Sequence, residues 1–199
     1  MNIAILGGSF DPPHLGHTLI AAQIKERLPI DEVWLMPCFA HSFEKNLSSP
    51  LHRLSMTKFL ETDVLKASDF EIRLKRVNDT IETLELLKKQ FPKDTFLFVL
   101  GSDNLLNFHK WPRWEEIIRD YQVIIFPREI ALPHLPTIAK KTLQLSSIPK
   151  NITLMDAKDL VLTNISSSLI RKRIKQGLSV DLLVQKEVET YIQKHKLYL

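Results

Sequence analysis

Short, unbroken apolar runs separated by longer amphipathic stretches restrict this chain more than any other feature. Phe96-Leu97-Phe98-Val99-Leu100 and Val123-Ile124-Ile125-Phe126 carry no polar residue on either face. Each therefore fits a strand buried on both sides, not a sheet with one face in water. The runs place strands over 3–6, 32–36, 70–74, 95–100, 122–126 and 152–155. Helical patterns fall between them, over 17–28, 51–61, 79–91, 114–120, 167–176 and 182–194. Trp114, Ile117, Ile118 and Tyr121, for example, recur at the i, i+3, i+4, i+7 spacing of one helix face. Alternating elements of this kind predict an α/β class, a doubly wound, mostly parallel sheet covered by helices. The stretch 131–149, with Pro133, Pro136 and Pro149, reads as a loop around one short helix over 138–143. No repeat or low-complexity segment interrupts the pattern, and a single domain over 1–199 is expected.

Composition narrows the partners. At 44% hydrophobic and 25% charged residues the chain is neither disordered nor collagen-like. Lys and Arg number 27 against 23 Asp and Glu, a net charge of +4. The densest basic run, Arg171-Lys172-Arg173-Ile174-Lys175, is too short for a nucleic-acid stripe, so no nucleic acid is expected. A modest excess suits a small anion such as a nucleotide phosphate. The single cysteine, Cys38, forbids an intrachain disulfide and fits a reducing compartment. Met1-Asn2-Ile3-Ala4-Ile5-Leu6 lacks the basic start of a signal peptide, and no apolar run nears the ~20 residues that span a bilayer. The expectation is a cytoplasmic protein with no membrane partner; the sequence leaves a homo-oligomer open.

Only five residues are glycine, and Gly7, Gly8 and Gly16 lie within the first 16. For Gly7, Gly8 and Gly101, space that a side chain would obstruct and simple turn chemistry are both open readings. Gly177 follows a helical pattern, where a C-terminal cap is expected. Ligands of doubly wound sheets gather beyond the carboxyl ends of the strands. The first such end reads Gly7-Gly8-Ser9-Phe10-Asp11-Pro12-Pro13-His14-Leu15-Gly16-His17 and runs into a helix. Backbone N–H groups beside the glycines, with the helix start, suit a phosphate. The spacing G-x-G-x-x-G is absent, which speaks against a redox dinucleotide. His14 and His17, three apart, share a side of the helix entrance. They serve either as caps and packing groups or as donors to transferring phosphoryl oxygens; a zinc site would need more ligands than lie nearby. A second cluster is Ile165-Ser166-Ser167-Ser168-Leu169-Ile170-Arg171. Ser166 suits an N-cap. The surplus hydroxyls and Arg171 suit a pyrophosphate, while Lys172, Arg173 and Lys175 read as a solvated face.

Taken together, Gly8-x-Phe10-x-Pro12-x-His14-x-Gly16-His17 and Ile165-Ser166-Ser167-Ser168-x-x-Arg171 resemble the nucleotidyltransferase superfamily. Within it, Gly101-Ser102-Asp103 after the fourth strand and Lys110-Trp111 make the chain similar to bacterial nicotinate-nucleotide adenylyltransferases. The resemblance implies a Rossmann-like nucleotidyltransferase fold. It also implies transfer of AMP from ATP, with Mg2+ carried by the ATP, to a pyridine mononucleotide, nicotinate mononucleotide. His14, His17 and Arg171 would grip the triphosphate. Gly8, Ser9 and Phe10 would present backbone to the nucleotides, Ile165, Ser166, Ser167 and Ser168 would hold the adenylyl side, and Gly101 and Asp103 would meet the nucleotide sugars. For Asp103 a helix cap or turn is an equal alternative. On the acceptor side the family's Pro-Pro-His-Lys is replaced by Pro37-Cys38-Phe39-Ala40-His41-Ser42-Phe43-Glu44-Lys45, and its Ser-Tyr-Thr by Asn78-Asp79-Thr80. His41, Lys45, Thr80 and Trp111 are the acceptor candidates, with a core role for Trp111 as the alternative. These departures leave adenylyl transfer intact. They keep open another phosphomonoester acceptor such as nicotinamide mononucleotide; a nucleotide-binding module without turnover is a separate alternative.

Overall fold

A computed structural model describes residues 1–40, 47–128 and 134–199. It is an α/β structure with a six-stranded sheet in the order β3-β2-β1-β4-β5-β6. The strands are β1 (Asn2–Gly8), β2 (Glu32–Pro37), β3 (Leu65–Ala67), β4 (Thr95–Gly101), β5 (Gln122–Phe126) and β6 (Ile152–Leu154). The registers that join β1 to β4, β2 to β3, β4 to β5 and β5 to β6 are all parallel. This is the doubly wound, Rossmann-like arrangement, with the strand order reversing beside β1. Among the described residues no helix is long and apolar enough to cross a membrane.

The chain divides into two compact units. The first comprises Met1–Leu6, Pro29–Asp31 and Asp79–Asn164. Its centre is β4, where Phe96 to Leu100 are all buried, flanked by β5 with Val123 to Phe126 buried as well. Its helices are α4 (Thr80–Gln90), α5 (Ser102–Leu105), α6 (Trp114–Asp120) and α7 (Leu135–Thr142). Asp79 caps α4, and Glu82 Oε2 accepts the Asp79 N–H at 3.3 Å, half of a reciprocal capping box. The second unit comprises Gly7–Leu28, Glu32–Asn78 and Ile165–Leu199. It carries α1 (Leu15–Arg27), α2 (Pro50–Lys58), α3 (Phe70–Leu74), α8 (Ser167–Lys175) and α9 (Lys186–Lys194). Gly177 (φ +68°) ends α8 in a left-handed cap. Leu178 N–H donates to Arg173 O at 2.9 Å and Gly177 N–H to Ile174 O at 2.9 Å, a Schellman motif.

Two expectations change. Residues 70–74 are a helix, and the strand lies earlier, at β3. Phe-Glu-Ile-Arg-Leu alternates like a strand. Nevertheless Ser68 Oγ accepts the Phe70 N–H at 3.3 Å, Asp69 pairs with Arg73 one turn on at 3.0 Å, and Lys75 (φ 55°) closes the turn. Local capping outweighs the period. The last helix starts at Lys186 rather than 182, because Leu182 sits in the left-handed region (φ 63°).

Candidate active site

The turn between β1 and α1 lies in the second unit and is set by Phe10. Its backbone is left-handed (φ 50°), which folds the ring back beneath Gly8. A Cβ on Gly8 would touch that ring at 3.4 Å, whereas one on Gly7 would meet no protein atom within 4 Å. For neither glycine does internal packing exclude a side chain. The Phe10 ring also lies against His17, with centroids 4.7 Å apart, and His17 stacks on buried His14 at 3.8 Å. His17 Nδ1 accepts the N–H of His14, the N-cap of α1, at 3.1 Å. An accepting Nδ1 has no proton, so the ring N–H of His17 is on Nε2. Capping and donation are thus compatible: one nitrogen anchors the ring and the other carries the donor.

The serine cluster meets this turn. Ser167 Oγ donates to Pro12 O at 2.8 Å and Arg171 Nη1 donates to Asp11 O at 2.7 Å. Arg171 Nη2 also donates to Ser168 Oγ at 3.3 Å. These bonds use two of the five guanidinium N–H groups; the rest have no protein acceptor among the described residues. Ser166 is the N-cap of α8, accepting from Leu169 N–H at 3.2 Å. The three serines therefore divide their work: one caps, one ties the two stretches and one steadies the arginine. Ile165, half-buried, leads into them. Arg173 bonds Ser179 O at 2.8 Å, so it is not simply solvated.

Asp11, within the turn, and its partners Ser48 and Tyr198 escaped sequence reasoning, as did Arg53 of α2. Asp11 is fully buried, and its carboxylate accepts from Tyr198 Oη at 2.6 Å, from Ser48 N–H at 3.1 Å and from Ser48 Oγ. Arg53, 1% exposed, donates to Ser48 O, Ser9 O and Phe39 O at 3.0, 2.8 and 2.8 Å. The available signal was a charge on the inward stripe of α2, where Arg53 shares a face with buried Met56, Thr57 and Leu60. Arg53 also approaches Cys38 Sγ at 3.9 Å. Burial pushes the Cys38 thiol up against the opposing pull of Arg53, which makes it a poor nucleophile at neutral pH.

The other candidates are in the first unit. Gly101, not Asp103, is the N-cap residue of α5, and the exposed Asp103 pairs with Arg128 at 3.4 Å. The buried Ser102 hydroxyl accepts from Arg128 N–H at 2.7 Å and donates to Arg128 O at 2.9 Å. A Cβ on Gly101 would collide with the Asp103 carboxylate. Gly101→Ala is expected to swing that carboxylate off Arg128 at a cost below about 1 kcal/mol, because the pair is exposed. Thermal unfolding would show a fall of no more than ~2–4 °C. Thr80 opens α4, half-exposed. Trp111 packs on Phe108 at 5.1 Å and edge-on to Phe98 at 6.1 Å, while remaining partly exposed. His41 and Lys45 lie outside the described residues.

With this geometry in place, the similarities to known proteins are informative. Residues 5–173 match the family described as cytidylyltransferase-like. A protein of Exiguobacterium sibiricum described as a probable nicotinate-nucleotide adenylyltransferase is 31% identical over 201 residues, spanning 100% of this chain and 99% of that one. One of Dehalococcoides mccartyi with the same description is 34% identical, over 100% of this chain and 97% of that one. Among solved structures, Plasmodium falciparum nicotinic acid mononucleotide adenylyltransferase complexed with NaAD aligns at TM-score 0.79 and 26% identity, covering 99% of this chain and 97% of that one.

Proposed function

Because the chain belongs to the cytidylyltransferase-like family, among its nicotinate-nucleotide adenylyltransferases, we propose that it transfers AMP from ATP to nicotinate mononucleotide. The products are deamido-NAD and pyrophosphate. A phosphate oxygen of the mononucleotide attacks the α-phosphorus of ATP, and the bond from that phosphorus to the β-phosphate bridging oxygen breaks. The nucleophile is already ionised at neutral pH, so no general base has to remove a proton. What remains for the protein is alignment and stabilisation of charge on the transferring and leaving phosphates.

One observation carries this reading: Ser167 and Arg171 bond the main chain of the turn that holds the stacked imidazoles, at 2.8 and 2.7 Å. That arrangement supports His17 Nε2–H, His14 and the uncommitted guanidinium N–H groups as the donors to the triphosphate. Gly8, Ser9 and Phe10 supply backbone to the nucleotide; Ser166 and Ser168 act on the adenylyl side through the start of α8. For Gly101 and Asp103 the role is contact with a nucleotide sugar, and for Thr80 and Trp111 it is contact with the acceptor.

A Mg2+ ion carried by the triphosphate would screen its charge. The donors at the turn are imidazoles, hydroxyls and a guanidinium, and the Asp11 carboxylate is taken up by Tyr198 and Ser48. Among the described residues, no group of three His, Cys, Asp or Glu side chains is placed to hold a metal. These residues fit a cation delivered by the nucleotide.

Pyrophosphate release from ATP and Mg2+, read against a panel of phosphorylated acceptors, tests the proposal. Turnover is expected only with a pyridine mononucleotide, and the acid should exceed the amide by roughly 10²-fold or more, since unpaired buried donors reject the wrong group. Comparable rates with the amide would reassign the acceptor. ATP binding without turnover on any pyridine mononucleotide would overturn the enzyme reading.

A further inference from the structure

We propose that Tyr198 is a positioning residue for adenylyl transfer: its hydroxyl holds the buried Asp11 carboxylate and thereby the turn that orients Arg171 and His17. The inference rests on the function proposed above. Asp11 is the node of the turn. Its side chain takes the Tyr198 hydroxyl at 2.6 Å and both donors of Ser48, while its main-chain carbonyl takes Arg171 Nη1 at 2.7 Å. On one side of it Phe10 presses its ring on His17, and on the other Pro12 O receives Ser167. Whatever fixes the Asp11 carboxylate therefore fixes the acceptor that aims the guanidinium.

A carboxylate that is fully buried needs donors, and losing one leaves a costly unpaired lone pair. Tyr198 supplies such a donor at a backbone cost. It is left-handed (φ 65°), as is Lys196 (φ 51°), conformations unfavourable to side-chain-bearing residues. Strain held at a residue that aims its hydroxyl into the reaction turn is the pattern seen at functional positions. Burial first, and then the bond to Asp11, push the phenol far above its usual range, which keeps it a donor throughout neutral pH.

The test is Tyr198→Phe, which keeps the ring and removes only the hydroxyl. At saturating substrates kcat is expected to fall about 5–20-fold, Mg·ATP affinity by calorimetry to fall about 3–10-fold, and the acceptor KM to stay within about twofold. A purely structural role would lower the unfolding temperature without this split. The decisive readout is a cycle with Arg171→Ala. In that background Tyr198→Phe should cost no more than about a further twofold, because both changes act through one element. Wild-type kcat and Mg·ATP affinity in Tyr198→Phe, or effects that multiply independently, would overturn the proposal. Were Tyr198→Phe to fail to fold, Ser48→Ala removes the other hydroxyl on the same carboxylate and carries the same expectation. If the wild-type chain adenylylates no pyridine mononucleotide, the reaction assignment fails by itself, and the same cycle in Mg·ATP affinity still decides the role of Tyr198.

Discussion

Replacing His17 by Ala is expected to lower kcat about 10²–10³-fold while the protein stays folded. The expectation follows from how the ring is held. Nδ1 is engaged by the His14 N–H at 3.1 Å, and the ring stacks on His14 at 3.8 Å and meets the tilted Phe10 ring at 4.7 Å. An imidazole held by two ring contacts and at one nitrogen presents Nε2–H in one direction, so it pays little reorganisation when charge builds on the phosphates. Alanine removes the donor and also the acceptor that caps the helix, a stability loss of about 0.5–2 kcal/mol. The two effects separate by measurement: thermal unfolding reads the cap, and single-turnover rates at saturating ATP read the donor. His17→Gln, which can accept through Oε1 and donate through Nε2, should recover the cap and part of the rate. A normal rate in folded His17→Ala would make the residue a helix cap and nothing more.

The sequence disclosed those features whose cause is local. The continuous runs 96–100 and 123–126 are buried strands because they have no polar face to offer water, and both appear as β4 and β5. Gly177 ends α8 because only glycine enters the left-handed cap at little cost. The stretch 70–74 misled because five alternating residues fit either period, and the choice was made outside it, by Ser68 and Lys75. A three-residue strand such as β3 has too few positions to show any period. The same division runs through the site. His14, His17, Ser166 and Arg171 were legible because their residue types and spacing carry chemistry on their face. Asp11, Ser48 and Tyr198 were not, since what joins them is spread over 187 positions of chain and exists only in three dimensions. Ser167 lay between these cases: its hydroxyl was legible, but its use as a tie to Pro12 O was not.

Arg53 supplies the largest expected change in stability, and Arg53→Met isolates it. The guanidinium is 1% exposed and reaches three carbonyls in three directions: Ser48 O, Ser9 O and Phe39 O. Each lies in a loop segment without a sheet partner for that group, so the arginine does the bonding that secondary structure does elsewhere. Methionine fills a similar volume and leaves all three acceptors unsatisfied. At roughly 1–3 kcal/mol for each stranded group, offset by whatever water enters, the expected loss is about 3–5 kcal/mol. For a chain of this length that is a fall of roughly 6–20 °C in Tm. Arg53→Lys is the sharper comparison. It keeps the charge but offers one compact ammonium where a planar fork is needed. If charge alone mattered, lysine would restore stability; because direction matters, it should recover less than about half of the loss. Calorimetric unfolding of wild type and both variants decides between these outcomes. Arg53→Met within about 1 kcal/mol of wild type would show the three loops to be held by other contacts. The consequence for catalysis follows from Ser9, which is both an acceptor for Arg53 and a neighbour of Phe10: destabilised loops should also loosen the turn that carries His17, and kcat should fall with Tm in Arg53→Met.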